Sequence, residues 1–286
     1  MNNWDDLRFL VALSKTGTMT AAAKSLGTNT ATVSRRIERL SETLGMPAFI
    51  KTGEGWRPSE AVASLIQLAQ SFDGELQAAL NSQAVNSESE PVTISVGSLP
   101  IVTSLVLFPG LTRHKPVLEG VQLTFSDRMF KEGLGDHDLV IQYARPGHGR
   151  IVARKVGSMS YRFYRFRDGD SGGDWAGLGE AHDDAPMMQA GLNAFGRPPR
   201  LRVDSLMALH RLMQMTRLPG PLPELLAEDD PDLVPLDPSI PPKVEECWLF
   251  YHESRRNDPG IRRAVDWVIR CFEDLPNQDR LRAAEA

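Results

Sequence analysis

The stretch "NTATVSRRIERL", residues 29–40, decides the reading of this chain. Val33, Ile37 and Leu40, continued by Leu44, step by four, three and four residues, which is one apolar stripe along a helix. Asn29 is a good N-cap for it and Gly45 a good end. Away from the stripe lie Thr30, Ala31, Ser34, Arg35 and Glu38, with Thr32 beside them and Arg36 and Arg39 further along. The first turn is short-chained and uncharged, so it can approach base edges. The arginines follow one turn later, where a groove-entering helix meets phosphates. A solvated amphipathic helix carries the same letters, so the flanking sequence has to decide between the two.

Before it, Leu7, Leu10, Val11 and Ser14 have helical spacing and Gly17 closes that helix. Thr18 or Thr20 can cap a short alanine-rich helix, "TAAAKSL", that stops at Gly27. Small side chains let neighbouring helices approach, and two helices joined by a Gly-containing turn make a helix-turn-helix. After it, Phe49–Lys51 reads as a strand, 53–55 as a turn around Glu54, and Trp56-Arg57 as the return strand. This small wing puts Lys51 and Arg57 beside a phosphate backbone and leaves Trp56 as wing core. From Ser59 to about Ser82 a further helix of about 35 Å is expected. Its stripe Leu65, Ala69, Phe72, Leu76, Leu80 has no evident partner in the chain. Pairing with the same helix of a second copy is one solution; packing on the chain's own C-terminal body is the other.

Bulk properties are those of an ordinary soluble protein of two or three domains: 286 residues, 41% hydrophobic, 24% charged, net charge −5. The charge is uneven. Residues 1–60 hold eight Lys/Arg against six Asp/Glu, net +2, leaving −7 on the remainder. A basic head on an acidic body hints at anion contact at one end. The two cysteines, Cys247 and Cys271, form no CxxC, so neither a disulfide framework nor a zinc site is expected. Asp5 and Asp6 stand where a signal peptide would be positive, and no apolar run reaches a membrane span. A cytoplasmic location and no membrane contact are expected.

Beyond the polar stretch "NSQAVNSESEP" (81–91), read as a hinge, the pattern alternates. "VTISV", "VQLTF" and "DLVIQYA" read as strands, "SLPIVTSLVLFPGLTRH" as a helix and "MFKEGLGD" as a short helix and loop. A second set follows residue 162: "YRFYRF", "LRVDSLMALHRLMQMTRL", "DLVPL", "CWLFYH" and the amphipathic "GIRRAVDWVIRCFEDL". Such alternation builds parallel sheets with helices on their faces. Ligands in these folds sit beyond the C-terminal strand ends. One wall of the crevice would be Ser98, Leu99, Pro100 and Thr103; the second and third strand exits add Asp127 with Arg128 and Gln142 with Tyr143; Asp204 and Ser205 face them. Arg128 is the candidate for pairing a carboxylate. No GxSxG, HExxH, GxxxxGK[ST] or dinucleotide fingerprint is present, and His182-Asp183-Asp184 lacks a second ligand cluster. No cofactor, metal or catalytic residue is expected.

Residues 4–62 resemble the winged helix-turn-helix of LysR-type transcriptional regulators. The shared marks are Leu7, Phe9, Gly17, Thr20-Ala21-Ala22-Ala23, Leu26, Val33 through Ile37, Leu40, Leu44-Gly45, Phe49, Lys51-Thr52, Gly55 and Glu60-Ala61. "GDHDLVIQYA" and "LFYHESRRNDPGIRRAVDWV" resemble that family's effector domain more weakly; 169–196 has no clear match, and the family's Gly-rich segment survives only as "TRLPGPLPELL". The family usually has Ser-Gln-Pro where this chain has Asn29-Thr30-Ala31, and an arginine where it has Lys51. A glutamine that would pair with adenine is therefore missing.

The resemblance implies an α+β multidomain protein: a winged helix-turn-helix, a long linker helix and a two-lobed α/β effector domain resembling periplasmic binding proteins. The expected divisions are 1–58 for the head, 59–90 for linker helix and hinge, and 91–286 for the body. Its first lobe would span 91–162 and 253–286, its second 163–252. The implied function is a transcriptional regulator whose operator binding or promoter activation responds to a small organic acid held between the lobes. Its partners would be double-stranded operator DNA, a second copy or more of itself (homodimer or homotetramer), the effector and RNA polymerase. The competing class is a small-molecule-binding protein or enzyme with an incidental helical N-terminus.

Overall fold

A computed structural model describes residues 5–53, 55–86, 91–128, 134–135, 137–143, 145, 150–169 and 172–276. Glu54 of the wing turn, hinge residues 87–90, most of "MFKEGLGD" and His148 lie outside the described residues.

Three helices open the chain: α1 (Asp5–Thr16), α2 (Met19–Ser25) and α3 (Thr30–Leu44). Each boundary has a local cause. Thr18 caps α2 by accepting from the Ala21 amide, 3.2 Å, and Asn29 caps α3 by accepting from Thr32, 2.8 Å. Gly45 ends α3 in the left-handed region at φ 71°. Leu10, Leu13, Ala22, Val33 and Leu40 are almost wholly inaccessible and form the centre of this head. Strands β1 (Phe49–Thr52) and β2 (Gly55–Pro58) pair antiparallel as the wing. The Trp56 amide donates to the Gly17 carbonyl, 2.7 Å, tying the wing to the turn after α1. A Cβ on Gly55 would run into that same carbonyl, and φ +136° there also favours glycine.

Helix α4 (Glu60–Asn86) is 27 residues long, about 40 Å. One expectation about it needs correcting. Ala69 is buried in the head core together with Val62 and Ile66, with Leu65 packed against it, so the upper part of the expected free stripe belongs to the head. And α4 rests on the body of its own chain. Arg150 donates to the Ser71 hydroxyl, 2.7 Å; a Cβ on Gly74 would overlap the Ser254 hydroxyl; Asn81 donates to Asp258, 2.8 Å. Phe72, Leu76 and Leu80 stay exposed, joined by Leu68.

The body starts with β3 (Val92–Ser98), followed by α5 (Pro100–Val102), a π-helical turn (Thr103–Leu107) and α6 (Phe108–Arg113). The single helix expected here therefore widens in its middle. Pro109 has no N–H to donate and its ring would crowd the carbonyl four residues back; the wider turn relieves both. Strands β4 (Val121–Asp127) and β5 (Leu139–Gln142) flank β3 in parallel. Then comes β6 (Ile151–Phe166), sixteen residues, of which only "YRFYRF" carries a clear strand pattern in sequence.

Strand β7 (Ala176–Leu178), helix α7 (Pro186–Phe195), β8 (Leu201–Val203), α8 (Leu206–Thr216), β9 (Gly220–Pro223), α9 (Glu224–Ala227) and β10 (Leu233–Pro235) build the second half. Strand β11 (Lys243–His252) returns the chain and α10 (Pro259–Glu273) ends it. The main sheet has the order β10-β6-β11-β5-β3-β4, with β9 also on β6; β7 and β8 pair separately in parallel. The two halves thus share one sheet, carried across by β6 and β11. Residues 151–161 of β6 pair with β11, while 161–166 pair with β9 and β10. β9 contains Pro221 and Pro223, which is tolerable because it lies on an edge. The body core is continuous, with Trp175, Trp267, Phe272 and Met213 wholly enclosed. Where α6 meets α10, Gly110 leaves room for Cys271, and its carbonyl accepts from the Trp267 indole, 3.1 Å.

Candidate DNA-facing head and interlobe crevice

On α3 the geometry divides the arginines. Asp6, 5% exposed, accepts from Arg36 at 3.0 Å and from the Arg39 Nε at 3.1 Å, and Arg39 makes a further contact through its Nη2. Burial works to raise the Asp6 carboxyl, but the hydrogen bonds and charges of Arg39 and Arg36 outweigh it and hold the group below its ordinary value. Arg36 also lies over the Phe9 ring, 5.4 Å from its centroid. These two arginines, expected at phosphates, fasten α3 to α1. Arg35 points outward and is exposed, as are Asn29, Thr30 and Ala31 in the first turn. Thr32 is half-buried, its amide satisfied by the Asn29 cap. Ser34 donates to Glu38 one turn on, 2.8 Å. Lys51 and Arg57 are exposed on the two wing strands.

The crevice residues are gathered by strand register. Ser98 at the end of β3 lies beside Asp127 on β4 and Ile141 on β5, so the three parallel strands end at one edge with Gln142 and Tyr143 just beyond. Helix α5, carrying Pro100, packs against α8, whose cap Ser205 accepts from Ala208, 3.2 Å. Asp127 and Asp204 are exposed. Ser98, Leu99 and Thr103 are buried, and Thr103 hydrogen-bonds back to the Leu99 carbonyl, 3.3 Å. Arg128 is 4% exposed and donates to the Leu134 carbonyl, 3.0 Å, so its guanidinium sits in the wall rather than at the mouth. The His137 ring occupies the space a Cβ on Gly97 would need.

Tyr143 reaches further inward than its place in sequence suggests. Its hydroxyl bonds that of Tyr161 on β6, and burial pushes both phenols up. Glu245 and Cys247 of β11 lie on the same face; burial raises the Glu245 carboxyl above its usual range. Only the register of β6 against β11 brings these groups together, which is why the sequence reading missed them. Asp183 of the His-Asp-Asp stretch is held by Arg202 at 2.7 and 3.2 Å, and among the described residues no group of metal-ligating side chains occurs.

A second set of buried charges joins α4 to the sheet. Asp258, wholly buried, caps α10 at Gly260 and Ile261, accepts from Asn81 of α4, and accepts from the Arg255 Nε at 2.7 Å. Arg255 reaches Asp138, 2.6 Å, and Asp138 accepts from both the amide and the hydroxyl of Ser95 in β3, 2.8 Å each. Its members are up to 177 residues apart, beyond any local sequence signal.

Residues 4–62 match the family model "Bacterial regulatory helix-turn-helix protein, lysR family". The Mau operon transcriptional activator of Paracoccus denitrificans is 28% identical over 278 residues, covering 95% of this chain and 97% of that one. The head thus matches the LysR family's helix-turn-helix, and the chain is similar to a transcriptional activator along nearly its whole length. Both similarities are to bacterial transcription regulators. Solved structures extend the fold match over the whole chain. ArgP from Mycobacterium tuberculosis superposes with a TM-score of 0.66 at 19% identity, covering 96% of this chain and 99% of that one. Full-length LysG from Corynebacterium glutamicum, solved with bound effector Arg, gives 0.62 at 19%, covering 95% and 98%. No described helix of this chain is long and apolar enough to cross a membrane.

Proposed function

We propose that this chain is a LysR-type transcriptional regulator and acts in the cytoplasm as a dimer or tetramer on a roughly dyad-symmetric operator. The observation that carries the reading is the exposed, uncharged first turn of α3 beside the exposed Arg35, with Lys51 and Arg57 on the wing. Thr30, Ala31 and Ser34 face bases; Ala31 meets a thymine methyl and Thr30 hydrogen-bonds loosely, so sequence preference comes from contacts other than a bidentate glutamine. Arg35, Lys51 and Arg57 hold phosphates, while Arg36 and Arg39 hold the helix that presents them. The working divisions are 1–58, 59–90 and 91–286, the last with lobes at 91–162 with 253–286 and at 163–252.

A small organic acid binds in the crevice between Ser98–Thr103 and Asp204-Ser205, with Arg128 supplying positive potential from the wall. Closure of the lobes alters the spacing of the DNA heads, and with it DNA bending or contact with RNA polymerase. Leu68, Phe72, Leu76 and Leu80 of α4 pair with the same residues of a second copy.

Footprinting on the DNA just upstream of the protein's own gene tests both halves. Protection of two half-sites about one helical turn apart, or a multiple of it, is the expected result. A panel of carboxylic acids should contain one that changes the footprint, and Arg128→Met should lose that response while still binding DNA. Absence of protection at every salt concentration overturns the operator reading; an effector response that survives Arg128→Met overturns the acid-binding role.

A further inference from the structure

The second half of the body carries a cleft of about 550 Å³, its open mouth included, whose lining includes none of the candidate crevice residues. Its floor is the β6 face with Tyr161 and Phe163; its walls are Met187, Ala190 and Ala194 of α7 and, opposite, Leu236 and Ile240. Ala190 and Ala194 are four residues apart on one helix face, and any longer side chain there would fill the space. Phe163 is backed by Trp175 and Phe195, with ring centroids 5.5 and 5.8 Å away, so the floor is stiff and aromatic. Ile240 remains 54% exposed at the rim, an apolar side chain that an occupant would cover.

Three charged residues border the cleft, and two of them are committed to its frame. Arg162 donates to Glu224, 2.7 Å, and to the Ile240 carbonyl, 2.6 Å, which fixes the wall. Asp237 accepts from the amide and hydroxyl of Ser239, 2.9 and 2.7 Å, and turns into its own loop. Lys243, registered directly across from Tyr161, lines the edge of the floor and has no ion-pair or hydrogen-bond partner among the described residues. The largely apolar lining with a few polar groups is that of a small-molecule site.

We propose that this cleft is a second ligand site that takes a one-ring aromatic carboxylate, the ring on Phe163 between α7 and Ile240, the carboxylate on Lys243. The cleft shares no lining residue with the crevice of the regulatory reading, although its Tyr161 bonds Tyr143 there, and each proposal stands or falls without the other. Fluorine NMR of 4-fluorophenylacetate with the full-length protein tests it. Line broadening is expected with the wild type, at least tenfold weaker binding with Lys243→Gln, and loss with Ala190→Phe. Asp127→Asn, at the crevice, should leave binding unchanged. 4-Fluorophenylacetamide and 4-fluorophenethylamine should bind at least tenfold more weakly than the acid. Because Lys243 is exposed, its variant keeps the fold and the test does not rest on Ala190→Phe. No broadening with the wild type, equal binding of the amide or amine, or loss through Asp127→Asn in place of Lys243→Gln overturns the proposal.

Discussion

Helices α3 and α4 carry similar apolar stripes yet use them differently. On α3 every stripe residue is spent on one domain: Val33, Ile37 and Leu40 are buried in the head, and even Arg36 and Arg39 on its flank are drawn in by Asp6. On α4 the stripe divides. Its first turns belong to the head, a different face rests on the body, and Leu68, Phe72, Leu76 and Leu80 remain outside. Apolar periodicity shows that a face will be covered; what covers it depends on elements far away in sequence.

Substitutions can break this contrast, in descending size of effect. Arg255→Leu removes the cation between Asp258 and Asp138 and leaves a wholly buried carboxylate; a loss of about 3–5 kcal/mol in denaturant unfolding is expected. Hydrogen exchange over 71–81 should rise with it, whereas unchanged exchange there would show that the buried charges do not hold α4. Leu40→Ala empties a fully packed position of the head, with an expected loss of about 2–5 kcal/mol. If α3 is confined to the head, that loss appears in the melting of the head while exchange at 71–81 stays as in the wild type.

The Asp6 pairs sharpen the comparison through pH. The folded-state carboxyl titrates below its unfolded value of about 4, so its contribution is complete above that value and disappears as pH falls through the folded one. Asp6→Asn should therefore be less stable than wild type at neutral pH, and the gap should close in acid unfolding below about pH 4. A gap that persists there would show that packing rather than charge holds the helices. Arg35→Ala should leave stability unchanged within about 0.5 kcal/mol. It should weaken operator binding and reduce the salt slope by about one, in titrations at several salt concentrations. Phe72→Glu, on the exposed face, should change melting least of all and instead shift the mass measured by sedimentation; an unshifted mass removes α4 from the subunit interface.

What was legible in sequence follows the same division. Caps and end-glycines fixed the head: Asn29, Gly45, Gly17 and the wing each act within a few residues. Strands β3, β4, β5 and β11 and helix α10 were legible because their apolar patterns are strong. Most of β6 was not, since "IVARKVGSMS" mixes charges into a strand whose two edges are both covered by partners from far along the chain. β9 was hidden by its prolines. Among the candidate site residues, chain position placed Ser98, Asp127 and Gln142 at one sheet edge, but it could not show that Arg128 turns into the wall or that Arg36 and Arg39 answer to Asp6. Burial of a charge depends on what lies opposite, and that is settled only once the fold closes.

Ala69 and Ser71 are two residues apart, yet one is buried against the head and the other bonded to the body. At about 100° per residue, Ser71, Gly74 and Asn81 lie nearly opposite the face that runs from Val62 through Leu76. The helix is therefore a beam gripped from one side by the body and loaded on the other by the head. A tilt of about 5° over its length of about 40 Å carries the far end through roughly 3.5 Å. That is about the rise of one base pair along a strand, so on the proposed operator reading a tilt of this size shifts the head by one base-pair step.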